Sequence, residues 1–381
     1  MDGGRFFGAS RACSGIMDGV VLNHAPIGCS WGVGLFKLPV HQGDVRHACT
    51  VIHETEIVFG GEISLRQALI KADELYKAPL LMVISGDVPS ITGDDVMAVI
   101  DSLSLNKDVV WIDAAGFKGS MKKGYEDALV FLAEKMKEGE ILENSVNLIG
   151  LSPDDFKVKA DLKEIGRLLD EIGVHMNSVI SHCCYQEFQK APSAELNLVL
   201  GRGVALAETM KNRFGIPYLN LDYPYGLEGT ERFLDAISDH IGSGRRKEKK
   251  FDSEPFRRVY LSLVELQGTP ISIIGDLHAP ALASFLEGEL GLQVEVIAGF
   301  EDDYDSFCQK VKESNTTILF GSSFERNLAE ELKTPLIVFS YPAFDQVCLY
   351  DDAPYAGPRG AVYLTENLLN TLMGFRGFKC N

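Results

Sequence analysis

One repeated alternation constrains this chain more than any other feature. Short apolar runs rich in Val, Ile and Leu alternate with amphipathic stretches of helical period along nearly all of its 381 residues. A strand covered on both faces reads as a continuous apolar run, and parallel strands need a helix to carry the chain back. The alternation therefore predicts an α/β fold of βα units around parallel sheets. Strands are expected at Gly19–Leu22, Leu80–Ser85, Val109–Ala114, Val146–Gly150, Val174–Ile180 and Leu196–Leu200. Further strands are expected at Tyr218–Leu221, Ile271–Gly275, Leu292–Ile297, Thr317–Phe320 and Leu336–Ser340. Helices fill most gaps, among them Ser64–Tyr76, Leu162–Ile172, Thr230–Ile241 and Ala361–Met373. Several strands end in Gly, Ser or Asp just before a helix, at the carboxyl edge where α/β proteins place their ligands.

Two breaks divide the series. Around Glu138–Asn144 a charged helix end passes to a fresh strand, and Gly242-Ser243-Gly244-Arg245-Arg246-Lys247-Glu248-Lys249-Lys250 is a polar, Gly-punctuated linker. Three Rossmann-like domains with parallel sheets are expected, at 1–143, 144–244 and 250–381, the last closing on a C-terminal helix. Acidic residues outnumber basic ones 54 to 36, for a formal charge of −18. Such a surface repels phosphate backbones, so general nucleic-acid binding is excluded. No window approaches the ~20 apolar residues of a membrane span, and the start MDGGRFFGASRACSG lacks the pattern of a signal peptide. A cytoplasmic protein with reduced thiols is expected. Its eight cysteines, Cys13, Cys29, Cys49, Cys183, Cys184, Cys308, Cys348 and Cys380, are then free thiols or metal ligands.

Familiar nucleotide and hydrolase motifs are missing. There is no Gly-x-x-x-x-Gly-Lys-Ser/Thr loop and no Gly-x-Ser-x-Gly elbow, and Gly201-Arg202-Gly203 lacks the third glycine of a dinucleotide fingerprint. The first half is richer. His24-Ala25-Pro26-Ile27-Gly28-Cys29 closes an apolar strand with a Pro–Gly turn that ends in a thiol. Val58-Phe59-Gly60-Gly61-Glu62 follows, and then Ser85-Gly86-Asp87-Val88-Pro89-Ser90-Ile91-Thr92-Gly93-Asp94-Asp95. Farther on stand Asn147-Leu148-Ile149-Gly150, Ala194-Glu195-Leu196-Asn197-Leu198-Val199-Leu200, Phe214-Gly215-Ile216-Pro217-Tyr218 and Gly357-Pro358-Arg359-Gly360-Ala361.

In this order and spacing the segments resemble component 1 of the nitrogenase superfamily over nearly the whole chain. That group comprises the nitrogenase subunits, their cofactor-assembly relatives, dark-operative protochlorophyllide reductase and the nickel-tetrapyrrole reductive cyclase of methanogens. The resemblance implies three Rossmann-like domains, a dimer of such subunits, an intersubunit iron–sulfur cluster, and electrons delivered by a partner iron protein that alone uses ATP. Nitrogenase subunits hold their cluster with three cysteines. Cys29 stands at one of these positions, Asp87 at another, and no cysteine at the earliest, near Gly4. Six thiolates for an eight-iron cluster are not there. A four-iron, four-sulfur cluster needs four ligands, which two copies supply with two each. Cys29 is the first, Cys13 the leading second candidate, and Cys49 and Asp87 the reserves. In this reading 1–143 is the cluster-binding domain.

The cysteine and histidine by which nitrogenases hold an iron–molybdenum cofactor are also absent, since Leu200-Gly201-Arg202-Gly203 and Tyr355-Ala356-Gly357 stand at those places. The resemblance thus excludes that cofactor and points to the tetrapyrrole-reducing branch, with a homodimer or a paralogous partner subunit. A carboxylate-rich macrocycle needs cationic anchors, for which Arg46, Arg202 and Arg359 are candidates. Ser181-His182-Cys183-Cys184 offers an imidazole and two soft thiolates to a substrate metal, or simply begins a helix over buried thiols. His182 and His24 are candidate proton donors, with His41, His47 and His53 as further ones. Asp94 and Asp95 are expected to cap the helix that follows them. A non-catalytic scaffold for metal-cofactor assembly, a reductase of small sulfur or nitrogen compounds carrying a larger metallocluster, and a metal-free regulatory paralogue stay open.

Overall fold

A computed structural model describes residues 4–35, 46–242, 251–276, 278–299 and 301–377. The linker residues 243–250, His41 and Cys380 lie outside the described residues. Within them the chain builds three four-stranded parallel sheets. The first contains β1 (Val20–His24), β2 (His47–Cys49), β3 (Leu80–Ser85) and β4 (Asp108–Asp113), in the order β2-β1-β3-β4. The second contains β5 (Leu142–Ile149), β6 (His175–Val179), β7 (Ala194–Val199) and β8 (Tyr218–Asn220), in the order β6-β5-β7-β8. The third contains β9 (Pro270–Gly275), β10 (Gln293–Gly299), β11 (Ile318–Gly321) and β12 (Leu336–Val338), in the order β10-β9-β11-β12. One winding rule thus recurs three times: the second strand lies outside the first, and the direction reverses between the first and third. Each reversal opens a crevice at the carboxyl edge of its sheet.

Two compact units carry these sheets. Residues 2–153 with 177–219 hold the first sheet and most of the second, and 154–176 with 220–381 hold the third. In the first unit every residue of β1 and β3 is buried, as expected where helices cover both faces of a parallel sheet. The elements that matter below are α1 (Gly4–Ser14), α2 (Ile27–Leu35), α3 (Glu54–Phe59), α4 (Glu62–Leu75), α5 (Asp87–Thr92), α6 (Val96–Asp101), α7 (Met121–Ala133), α8 (Val158–Glu171) and α9 (Tyr185–Lys190). Helix α1 is not among the expected helices, and it takes in Cys13. Its sequence, GRFFGASRACS, contains glycines that weaken an isolated helix. Packing supplies the difference. A Cβ on Gly8 would stand 1.8 Å from Met121 O, and one on Gly124 would stand 1.9 Å from Arg5 O. Helices α1 and α7 therefore touch backbone to backbone, and Arg5 pairs with Asp127 at 2.7 Å across the contact.

In the other unit the first turn of α8 is anchored by a buried carboxylate. Asp161 accepts hydrogen bonds from Tyr223 OH at 2.6 Å, from Tyr355 N at 2.6 Å and from Ala356 N at 2.9 Å. Burial holds its carboxyl up at about 6 in spite of these three donors. The final helix, Gly357–Gly377, begins one residue after this clasp. Asp161→Ala strands three buried donors and is expected to lower stability in urea unfolding by about 3 kcal/mol. Asp161→Asn, which keeps an acceptor oxygen, is expected to lose less. A loss in the alanine variant no larger than that of an ordinary surface substitution would show that the clasp does not anchor the unit.

Candidate active site at the carboxyl edge of the first sheet

The crevice of the first sheet opens between β1 and β3, and the candidate residues gather there. Strand β1 ends at His24, and Ala25-Pro26 leads into α2, with Cys29 in its first turn. The preceding proline suits the start of a helix. Strand β3 ends at Ser85, and Gly86 leads into α5, whose first residue is Asp87. Strand β2 ends at Cys49, which lies opposite Asn23 near the end of β1. Cys29, Cys49 and Asp87 thus follow three neighbouring strands at one edge.

His24 holds these segments together. Its ring is fully buried. Nδ1 lies 3.1 Å from Thr50 Oγ1, and Nε2 lies 3.0 Å from Asp94 Oδ2. The Asp94 carboxylate only accepts, so Nε2–H donates to it and Nδ1 of the neutral ring accepts from the Thr50 hydroxyl, whose oxygen accepts from the Ala25 amide at 3.3 Å. Asp94 also accepts from the Gly61 amide at 3.0 Å and from Thr92 Oγ1 at 2.7 Å. Four segments meet on one imidazole: the end of β1, the residue after Cys49, the turn before α4 and the turn after α5. The two aspartates expected to cap α6 therefore divide the work. Asp95 alone is the cap, accepting from the Ala98 amide at 3.0 Å, and Asp94 turns inward. Both nitrogens of His24 are occupied inside the fold, which gives this residue a holding role in place of proton delivery.

Electrostatics at the crevice runs one way. Burial first, then the Asp87 carboxylate and the Cys49 thiol, push the Cys29 thiol above its ordinary value. Cys29 and Cys49 are both half-buried and neither is in a disulfide. Asp87 accepts a short hydrogen bond from the Gly116 amide, and Cys49 Sγ accepts from the Val51 amide at 3.3 Å and faces Ala25 O at 3.3 Å. A thiol held above its ordinary value in this way is costly to ionise, and a bound metal cation reverses that cost. The donor chemistry therefore fits iron and sulfide. There is open space as well, since among the described residues, leaving out the chain neighbours of Gly28 and the backbone of its own helix, no atom lies within 4 Å of where a Cβ on Gly28 would stand. Among the described residues, no three His, Cys, Asp or Glu side chains of one chain are arranged to hold a metal ion. Around the crevice Ile27, Trp31, Val58, Phe59, Ile63 and Ile91 are exposed, Phe59 at 83% and Trp31 at 66%.

The remaining candidates stand elsewhere. Cys13 is 0% exposed within α1, packed into the hydrophobic core. Cys183 is buried and its thiol is pushed up to about 12 by burial. Its backbone is bonded to Gly15 O at 3.0 Å and to Met17 N at 2.9 Å. Cys184 precedes α9 as its cap, its amide donating to Glu187 at 2.8 Å, so the His182-Cys183-Cys184 run begins a helix over a buried thiol. Arg46 lies at the opposite, amino edge of the first sheet, where Nη1 donates to Asp18 O at 3.4 Å. Arg202 is buried, donates to Gly150 O at 3.0 Å and stacks 5.2 Å from the centre of the Tyr125 ring. Arg359 is exposed in the other unit, 3.6 Å from Glu164. His53 caps α3 in an exposed position, and His47 Nε2 lies 3.2 Å from Ser14 Oγ. Among the described residues no helix is long and apolar enough to cross a membrane.

Comparison with known proteins follows the same line. The family described as nitrogenase component 1 type oxidoreductase matches residues 5–373. The nitrogenase molybdenum-iron protein alpha chain of Methanothermobacter marburgensis is 26% identical over 410 residues, covering 95% of this chain and 86% of that protein. The nitrogenase iron-molybdenum cofactor biosynthesis protein NifE of Methanosarcina barkeri is 28% identical over 359 residues, covering 86% and 76%. A subunit of the light-independent protochlorophyllide reductase of Heliobacterium modesticaldum is 26% identical over 363 residues, covering 84% and 68%. A solved structure, nitrogenase Cp1 at pH 6.5, superposes with a TM-score of 0.82 at 19% identity, covering 98% of this chain and 93% of that one, and establishes the shared fold.

Burial lowers the affinity of His24 for a proton, against the pull of Asp94. With the folded value below the ordinary 6.5, the unfolded chain binds the extra proton. The stability contributed by His24 is therefore full above about pH 6.5 and is lost as pH falls below it. His24→Gln is expected to unfold about 1–3 kcal/mol more easily at pH 7.5, with a shallower decline on acidification. Equal slopes for both proteins below pH 6.5 would contradict the buried, neutral ring.

Proposed function

This chain belongs to the nitrogenase component 1-type oxidoreductases, and on that premise we propose that it is a reductase subunit whose catalytic form is a dimer. Members of this family bind iron–sulfur clusters, work with an ATP-dependent iron protein and form oligomers. In the proposed form a four-iron, four-sulfur cluster lies between two copies, or between this chain and a paralogue, with Cys29 as a ligand from each side. Bound there, such a cluster supplies one-electron transfer at low potential. Everything else falls to the chain. The His24 clasp fixes the loops that carry the ligands, and Gly28 leaves room beside Cys29. The exposed apolar side chains around the crevice give a partner subunit and an iron protein a surface to cover, and so keep water from the centre.

The observation that carries this reading is the half-buried thiol of Cys29 at the first sheet's crevice, beside a second thiol and a carboxylate. A tetrapyrrole is the substrate we favour. Likeness to a light-independent protochlorophyllide reductase supports it, as does Leu200-Gly201-Arg202-Gly203, which carries no cysteine after β7. Of the arginines expected to anchor a carboxylate-bearing macrocycle, Arg359 is the exposed one, whereas Arg202 is committed inside the fold and Arg46 lies at the amino edge. The division into domains at 1–143, 144–244 and 250–381 belongs to the same reading. Likeness to NifE supports a second one, a scaffold that holds a transferable cluster without turning over a substrate.

Anaerobic reconstitution with ferrous iron and sulfide is expected to give about four irons per dimer and a broad charge-transfer absorption. Cys29→Ala is expected to lose both while keeping its fold by circular dichroism. Full iron content in that variant would remove the site. Iron retained by the wild type on mixing with an apo-acceptor protein supports the reductase reading, and its transfer to the acceptor supports the scaffold.

A further inference from the structure

We propose that Cys49 is the second thiolate of the set, so that each of two copies contributes Cys29 and Cys49. The inference rests on the cluster reading above and assigns its missing ligand. In sequence Cys13 is the leading second candidate, in the Arg11-Ala12-Cys13-Ser14-Gly15 segment upstream of Cys29, and Cys49 is a reserve. The structure reverses that order. Cys13 is 0% exposed within α1, a member of the hydrophobic core of its unit, so its sulfur reaches no surface in this fold. Cys49 is half-buried, at the same carboxyl edge as Cys29.

Three further features build Cys49 into the site. Its sulfur lies 3.3 Å from Ala25 O, on the turn that leads to Cys29. The next residue, Thr50, is tied to His24, so the strand end that bears the sulfur is fixed to the turn that bears its partner. Val51 then adopts a φ of 55°, a left-handed conformation that a β-branched residue takes only at a cost. In that conformation its amide points at Cys49 Sγ at 3.3 Å. An N–H bond to sulfur stabilises a thiolate and tunes the potential of a cluster bound through it.

The S–H that faces Ala25 O is the part of this arrangement that ligation would replace. As each iron–sulfur bond forms, the thiol proton leaves to solvent, and the Val51 amide stays on the sulfur. Two thiols per copy make four per dimer, the complement of a four-iron cluster. Asp87, with one oxygen held by the Gly116 amide, stays outside the set as a neighbouring negative charge.

The test uses the full chain, reconstituted anaerobically with ferrous iron and sulfide. Protein-bound iron, the EPR spectrum of the dithionite-reduced state and alkylation of each cysteine, read by peptide mass spectrometry, are measured. In the wild type, iron loading is expected to abolish alkylation of both Cys29 and Cys49, a readout that needs no variant to fold. Cys49→Ser is expected to lose iron or shift the EPR signal, and Cys13→Ala and Asp87→Asn are expected to keep the wild-type iron content. Cys49 that stays reactive in the loaded wild type would overturn the assignment. So would loss of iron in Asp87→Asn with full iron in Cys49→Ser, which makes Asp87 the second ligand. A wild type that takes up no iron would sink the cluster reading itself, whereas loss in Cys29→Ala alone sinks only the role of Cys49.

Discussion

A single buried imidazole organises the edge where this protein presents its chemistry. His24 ends the central strand of the first sheet and is bonded to Thr50 on one side and to Asp94 on the other, so both ring nitrogens are satisfied within the fold. Loops at a sheet edge are mobile by default. A ring that joins four of them converts their separate freedoms into one arrangement, and its low-dielectric setting strengthens each bond it makes. The strand ends and turns that carry Cys29 and Cys49, and the turn after α5, are held to one another through that arrangement.

Three sheets of identical strand order allow a comparison within one molecule. Each has a crevice between its first and third strands, and the first sets two thiols and a carboxylate there. In the second sheet the corresponding loops are drawn tight. A Cβ on Gly150 would lie 2.5 Å from Leu200 O, and Arg202 reaches back to Gly150 O. In the third, Ser323 accepts from the Phe344 amide at 3.0 Å, and Arg326 and Ser323 both bond Asp345, fastening the loop after β11 to the segment after β12. The fold thus repeats its frame and varies its edges, the expected behaviour when function is carried by loops on a rigid scaffold.

Much of the frame was legible in residue order. Each expected strand is present, because continuous runs such as Leu-Leu-Met-Val-Ile-Ser are buried on both faces and hardly fit anything else. Strand β2 escaped because His-Ala-Cys is short and carries no β-branched residue. Its pairing with β1 makes it a strand, and pairing across 26 residues is not a local property. Helix α1 escaped for the complementary reason, that glycine weakens it locally and permits the contact that forms it. The place of Cys29 just after β1 was readable from the apolar run and the Pro–Gly pair before it. Its relation to Cys49 was not, since register decides it, and Asp94 and Asp95 are equivalent on paper until the fold turns one toward His24 and leaves the other to cap α6.

The most direct measurement is anomalous diffraction at the iron edge from crystals of anaerobically reconstituted protein. The account predicts iron density at the boundary between two subunits, bonded to Cys29 of each. Iron enclosed by one protomer and remote from Cys29, or subunits that meet on some other face with this crevice open to solvent, would contradict it.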